Sequence, residues 1–277
     1  MPLRYSAFTE TPAGGNPAGV VLDARGMSED EMLALAAEVG YSETAFLRPR
    51  DGGEYDVRYF SPEKEISFCG HATIAAAVAL AERDGTGDLV FHVADGPVPV
   101  GTREDGAGGV TATLTSVAPY VAELAPGDLE PVLGALGWSA DDLDPELPPR
   151  IAYAGARHLV LAVRTRERLA DLDYDFGRLK AFMLERDLTT VDLVWRERAD
   201  TYHARNPFPV GGVVEDPATG AAAAAFGAYL RELGLAKPPA RIAVLQGDDM
   251  GRPSRLTVEL TPDRPQIAVS GRAVAIA

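Results

Sequence analysis

Two short segments carry residues whose types and spacing could do chemistry. In Cys69-Gly70-His71-Ala72-Thr73 a thiol and an imidazole flank a glycine, and in Asp216-Pro217-Ala218-Thr219-Gly220-Ala221 a carboxylate lies four residues before one. Thiol, imidazole and carboxylate groups all exchange protons in water, so acid/base proton transfer is the chemistry these segments suggest. Each group also has a plainer reading. Cys69 is either a buried structural thiol or one whose pKa is lowered at a helix start. His71 is either a packed histidine of an apolar helix or a proton carrier. Asp216 is a helix-cap acid, a role that Pro217 supports, or a catalytic acid, and the two roles are compatible. Glu43, between Ser42 and Thr44 at the start of an expected strand, is a solvated carboxylate or a general acid/base.

The elements that must position these groups follow from the pattern. Ala72 to Ala81 and Ala221 to Leu230 are apolar on every face, so each predicts a helix buried all round. Phe60-Ser61-Pro62 precedes Cys69-Gly70, Phe208-Pro209 precedes Thr219-Gly220, and Gly70 and Gly220 are 150 positions apart. This internal duplication predicts two pseudo-symmetric α/β domains, each a curved sheet wrapped around one central helix. The boundary falls at Pro119 to Pro126. The first domain is expected over 1–118, with a C-terminal strand near 266–277 returning to it, and the second over 119–265. A capping box at Ser28-Glu29-Asp30-Glu31 predicts a helix over 29–39, and further helices are expected over 129–136 and 176–186. Strands are expected over 4–8, 19–22, 44–47, 55–60, 89–93, 98–101, 110–114, 158–163, 191–195, 201–206, 241–246, 255–260 and 266–275. A turn-rich loop is expected over 9–17. With both central helix N-termini in a shared cleft, their free N–H groups would suit a carboxylate or an enolate-like anion.

Composition narrows the partners. The 277-residue chain carries 26 Lys+Arg against 41 Asp+Glu, a net charge of −15. An acidic chain has no overall pull toward nucleic-acid phosphates or anionic lipid, so neither is an expected partner. Met1-Pro2-Leu3-Arg4-Tyr5 lacks the apolar run of a signal peptide, and no apolar stretch is long enough to span a bilayer. The expected location is therefore cytoplasmic. A single Cys forms no intramolecular disulfide. Gly14-Gly15 is no phosphate loop, since no Lys-Ser/Thr follows. His92, His158 and His203 show no ligand spacing with the acids or Cys69, so no metal is expected.

Taken together, several segments give the sequence a specific likeness. They are Ala7-Phe8 through Gly15-Asn16-Pro17-Ala18, Ser42-Glu43-Thr44-Ala45-Phe46, Arg58-Tyr59-Phe60-Ser61-Pro62 with Glu65, and Cys69-Gly70-His71-Ala72-Thr73. Gly212-Val213-Val214-Glu215-Asp216-Pro217-Ala218-Thr219-Gly220 and Leu245-Gln246-Gly247 complete the set. In that order, over essentially the whole chain, it resembles the PhzF-type isomerases of phenazine biosynthesis, within the diaminopimelate epimerase-like fold superfamily.

The resemblance implies the two-domain fold already inferred, a site between the domains, a homodimer, and proton transfer without metal or cofactor. It implies that Glu43 carries the proton, that Asp216 positions substrate or handles protons, and that His71 binds a substrate carboxylate or assists proton delivery. Gly70, Cys69, Thr219, Gly220, Ala221 and Asn16 are the implied substrate-binding positions. Members acting on trans-2,3-dihydro-3-hydroxyanthranilate have Ser where this chain has Ala221, so the resemblance implies a small carboxylated substrate without assigning that one. Two other readings stand beside the isomerase. One is an epimerase or racemase using Cys69, which the lack of a second Cys disfavours because Thr219 occupies the other thiol's position. The other is a non-catalytic small-ligand-binding protein.

Overall fold

The computed structural model describes every residue except 95 and 107, and among the described residues no helix is long and apolar enough to cross a membrane. The chain divides into two compact units, Met1–Thr115 with Ser270–Ala277, and Ser116–Val269.

In the first unit β1 (Leu3–Ala7) runs antiparallel to β2 (Asn16–Val21). Helix α1 (Glu29–Val39) then crosses to β3 (Thr44–Pro49), which lies parallel to β2. The capping box expected for α1 is formed: Ser28 Oγ accepts from the Glu31 N–H, and Glu31 accepts from the Ser28 N–H. Gly40 closes the helix in the left-handed conformation, and Met32, Ala36 and Val39 form its buried stripe. β4 (Glu54–Phe60) returns antiparallel to β3 and pairs with the two-residue β5 (Glu65–Ile66). After α2 (Gly70–Asp84), β6 (Asp88–Val93) lies parallel to β4, and β7 (Gly96–Glu104) and β8 (Val110–Thr115) follow as antiparallel neighbours.

The second unit opens with β9 (Tyr120–Glu123), inside the segment expected to be a boundary, and α3 (Leu129–Leu136). β10 (Arg150–Tyr153) runs antiparallel to β11 (Arg157–Val163). Helices α4 (Arg166–Ala170) and α5 (Phe176–Glu185) cross to β12 (Thr190–Arg198), parallel to β11. β13 (Thr201–Pro207) is antiparallel to β12 and pairs with the two-residue β14 (Glu215–Asp216). After α6 (Gly220–Glu232), β15 (Ala240–Gln246) lies parallel to β13 and antiparallel to β16 (Ser254–Leu260). β17 (Ile267–Ala275) ends the chain.

The duplication therefore holds strand pair by strand pair. β1 to β6 repeat as β10 to β15, with the same alternation of antiparallel and parallel neighbours and a helix on every parallel crossover. The first strand of each set gains an antiparallel neighbour from outside it: Tyr5 pairs with Ala275 of β17, and Ile151 pairs with Ala122 of β9.

Both Ala-rich helices are the centres of their units. Every residue of α2 from His71 to Ala81 is buried, with the helix packed against β1, β2, β7 and β8. Helix α6 is buried from Ala222 to Leu230 against β9, β10, β11 and β16. Alanine gives up almost no side-chain entropy on burial and lets strands approach the helix axis closely. At Gly227 even a methyl group would strike Val258 and Ile267.

Candidate active site

In the first unit, the starts of three elements bring the chemistry together. The expected loop over 9–17 ends two residues early: Asn16 and Pro17 already belong to β2, opposite Ala7 and Ser6. Gly15 turns the chain there with φ +69°, and a side chain at that position would collide with the Ala7 carbonyl and with Thr9. This delivers the buried Asn16 side chain to α2, where Nδ2 lies 3.1 Å from Nδ1 of His71. With Asn16 donating, Nδ1 is the bare acceptor and Nε2 carries the imidazole proton. That proton faces Glu43, whose Oε2 is 3.3 Å from Nε2. Glu43 sits one residue before β3, its carbonyl accepting from the Gly19 N–H of β2 at 3.0 Å.

Cys69 is the N-cap residue of α2 and completes the cluster, with Sγ 3.3 Å from Nδ1 and 3.8 Å from Nε2 of His71. The Glu43, Cys69 and His71 donor atoms lie within 4.8 Å of one another. The Glu43 side chain keeps 14% of its exposure and that of His71 7%. Burial holds the Glu43 carboxyl above the usual carboxylate range, although Ser42 and Cys69 donate to it and pull the other way. A carboxyl so placed can take and return a proton closer to neutrality than a solvated one.

In the second unit, Asp216 ends β14 and Thr219 is the N-cap residue of α6. Asp216 is thus not itself the cap. The Thr219 hydroxyl donates to Asp216 Oδ2 at 2.6 Å instead of capping the helix. Cys69 likewise makes no side-chain capping bond to α2, and neither helix has an acidic residue of its own in its first turn. Gly70 and Gly220 are the first residues of their helices, and Ala221 follows Gly220.

Two features of this unit go beyond what the sequence shows, although Gln246 lies in one of the segments that carry the resemblance. The first is Gln246, fully buried at the end of β15. Its Oε1 accepts from the Thr219 N–H at 3.0 Å, and its Nε2 donates to the Asp216 carbonyl at 2.6 Å and to Thr219 Oγ1 at 3.1 Å. A polar residue ending an otherwise apolar strand was the available signal. The next residue, Gly247, has φ +80° and packs where a side chain would strike the Arg252 and Pro217 carbonyls.

The second feature is a buried polar chain on strands β11, β12 and β13. His158 Nδ1 bonds Thr190 Oγ1 at 2.8 Å, Thr190 donates to Asn206 Oδ1 at 2.6 Å, and Asn206 Nδ2 donates to Asp192 Oδ1 at 3.0 Å. Asn206 is the register partner of Asp216. Burial raises the Asp192 pKa to about 7 and lowers that of His158 to about 3. Beside it, Glu215 forms a two-pronged ion pair with Arg205, and both side chains are buried.

The whole chain is similar to known proteins. Residues 5–277 match the family model described as phenazine biosynthesis-like protein. An uncharacterized isomerase of Bacillus subtilis is 29% identical over 99% of this chain and 95% of its own length. The trans-2,3-dihydro-3-hydroxyanthranilate isomerase of Pseudomonas chlororaphis is 32% identical over 90% of this chain and 86% of its own. The crystal structure of a PhzF-family phenazine biosynthesis protein from Bacillus anthracis superposes with a TM-score of 0.90 at 27% identity, covering all of this chain and 96% of that one.

Proposed function

The chain belongs to the phenazine biosynthesis-like protein family, and from that premise we propose that it is an isomerase moving a proton within a small carboxylated substrate by general acid/base catalysis. The observation that carries this reading is the Glu43 carboxyl, held largely out of water with a raised pKa between the His71 imidazole and the Cys69 thiol. Glu43 takes the proton from an acidic C–H and returns it to another position of the conjugated system. A positioned general base of this kind supplies ~10²–10⁴-fold of rate. His71, with its proton on Nε2, stabilises the carboxylate form of Glu43. Asp216, braced by Thr219 and Gln246, is the proposed substrate-positioning group of the second unit. Gly70 and the N-terminus of α2 that it opens would stabilise developing negative charge. We assign no metal or redox cofactor a role in this reaction, as the resemblance implies.

Ala221 removes a hydroxyl that members acting on trans-2,3-dihydro-3-hydroxyanthranilate have at this position, so that compound is one candidate in the panel and not the assigned substrate. A homodimer in the cytoplasm is the proposed working form. The test is deuterium incorporation from D₂O into a panel of small carboxylates. Label should appear with the wild-type chain and not with Glu43→Gln. Absence of label with every candidate would favour a ligand-binding protein instead.

A further inference from the structure

Tyr59 is fully buried on β4 and grips the Cys69 segment from two sides. Its ring meets Phe68, the residue before Cys69, edge-on with centroids 5.9 Å apart. Its hydroxyl lies 2.6 Å from Thr73 Oγ1, and Thr73 donates its own hydroxyl hydrogen to the Cys69 carbonyl at 2.7 Å. With that hydrogen spent, Tyr59 is the donor of the pair. Burial raises the Tyr59 pKa, so the phenol stays neutral and keeps its hydrogen. Tyr59 is also the register partner of Ala45, two residues beyond Glu43. Its backbone is thus fixed to the strand that Glu43 leads into, and its side chain to the helix start that carries Cys69.

The second unit shows that such a helix start forms without either hydroxyl. Asn206 pairs with Asp216, three residues before the N-cap Thr219, and Tyr59 pairs with Ile66, three residues before the N-cap Cys69. Ala223 takes the place of Thr73, yet its N–H donates to the Thr219 carbonyl at 3.0 Å, the same distance as from the Thr73 N–H to the Cys69 carbonyl. What the hydroxyl pair adds in the first unit is a fixed Cys69 backbone, and with it a fixed thiol. The Nδ1 lone pair of His71 is taken by Asn16, which leaves the thiol hydrogen to Glu43, and Cys69 donates there. We propose that Tyr59 and Thr73 are positioning residues that hold Cys69 so that its thiol donates a hydrogen bond to the Glu43 carboxylate. That this bond sets the working range of a proton carrier rests on the function proposed above; that the two residues hold the thiol does not. Burial raises the Glu43 pKa, donation from Ser42 and Cys69 lowers it, and His71 faces the carboxylate at 3.3 Å. Loss of the thiol bond therefore moves the carboxyl further up.

The test reads the S–H infrared stretch of the reduced full chain, which belongs to Cys69 because the chain has one cysteine. In the wild-type chain, at a pH where Glu43 is ionised, the band is expected below the free-thiol frequency, since donation to a carboxylate weakens the S–H bond. Glu43→Gln, Tyr59→Phe and Thr73→Val should each move it toward that frequency. Thr73→Ser, which keeps the hydroxyl, should hold it at the wild-type position. A wild-type band at the free-thiol frequency, a measurement independent of any variant's folding, overturns the proposal. So does a band unmoved in both Tyr59→Phe and Thr73→Val, or unmoved in Glu43→Gln. Deuterium exchange into substrate separates the two claims. In Tyr59→Phe and Thr73→Val the acid limb of its pH profile should move to higher pH and the rate fall roughly two- to tenfold, with both restored in Thr73→Ser. A merely structural role would lower stability and leave that limb in place. A moved S–H band with an unmoved limb overturns the tuning of Glu43. A moved band without exchange by the wild-type chain on any substrate contradicts the isomerase reading alone.

Discussion

Nε2 of His71 lies 3.3 Å from Oε2 of Glu43, while Nδ1 of the same ring is held by Asn16 at 3.1 Å. The second contact fixes the tautomer that makes the first a donor to the carboxylate. Hydrogen bonds to charged groups contribute ~1.5–3 kcal/mol, and each ~1.4 kcal/mol is tenfold in rate. His71→Leu, which keeps an apolar side chain in the buried first turn, should therefore slow proton exchange roughly ten- to hundredfold while far-ultraviolet circular dichroism stays at the wild-type level. An exchange rate within twofold of wild type would show that Glu43 works without this donor.

Gln246 ties the Asp216–Thr219 segment to β15 with three hydrogen bonds. Gln246→Leu leaves the Thr219 N–H and the Asp216 carbonyl without their partner, at a cost of ~1–3 kcal/mol each if they stay buried. The expected result is a lower urea midpoint and faster amide hydrogen exchange at Thr219. Unchanged Thr219 protection would mean that other contacts hold the segment.

Glu215 and Arg205 form the buried ion pair next to Asp216. Removing one partner strands a buried charge, so Glu215→Gln should cost ~3–5 kcal/mol in chemical denaturation. Replacing both, as Arg205→Met with Glu215→Leu, should restore much of that loss. A single variant as stable as wild type would place the pair's charges in contact with water.

The buried chain from His158 to Asp192 sets an unusual pH dependence. Asp192 has a folded pKa of about 7, raised from 3.8, so the native state binds a proton that the unfolded chain has released; its contribution is lost as pH rises between those values. His158 has a folded pKa of about 3, lowered from 6.5, so its contribution is lost as pH falls through that window. Between about pH 4 and 6.5 the two slopes oppose one another. Asp192→Asn keeps an acceptor for Asn206 and removes one slope. Its stability should rise with pH in this window by up to ~1.4 kcal/mol per unit more steeply than wild type. Parallel stability curves for the two proteins would contradict the assignment.

Much of this architecture is legible in the chain. The Ser28–Glu31 box marks α1 because capping is local chemistry, and the Ala-rich stretches mark α2 and α6 because no face of either is polar. Strands β9 and β10 are harder to see: each has only four residues, and Arg150–Tyr153 abuts the Pro-rich segment over 141–149. Two-residue β5 and β14 leave no periodicity to detect. The same limit governs the sites. Cys69, His71 and Asp216 lie beside helix starts, where spacing draws notice. The bonds from Asn16 to His71 and from Gln246 to Thr219 join distant segments and exist only once strands have paired. His158, Thr190, Asn206 and Asp192 come from three strands, and each alone looks like an ordinary polar residue.

The central claim is that Glu43 carries the proton. It is tested most directly by following deuterium from D₂O into small carboxylated substrates by NMR, with wild-type and Glu43→Gln chains side by side. Gln keeps the shape and the acceptor oxygen but cannot take a proton at these pH values. The account predicts label at the carbon that gains the proton with the wild-type chain, and a rate lowered ~10²–10⁴-fold in Glu43→Gln at unchanged stability. Label appearing at the wild-type rate with Glu43→Gln, and lost instead when Cys69 is alkylated, would contradict it and assign the chemistry to the thiol.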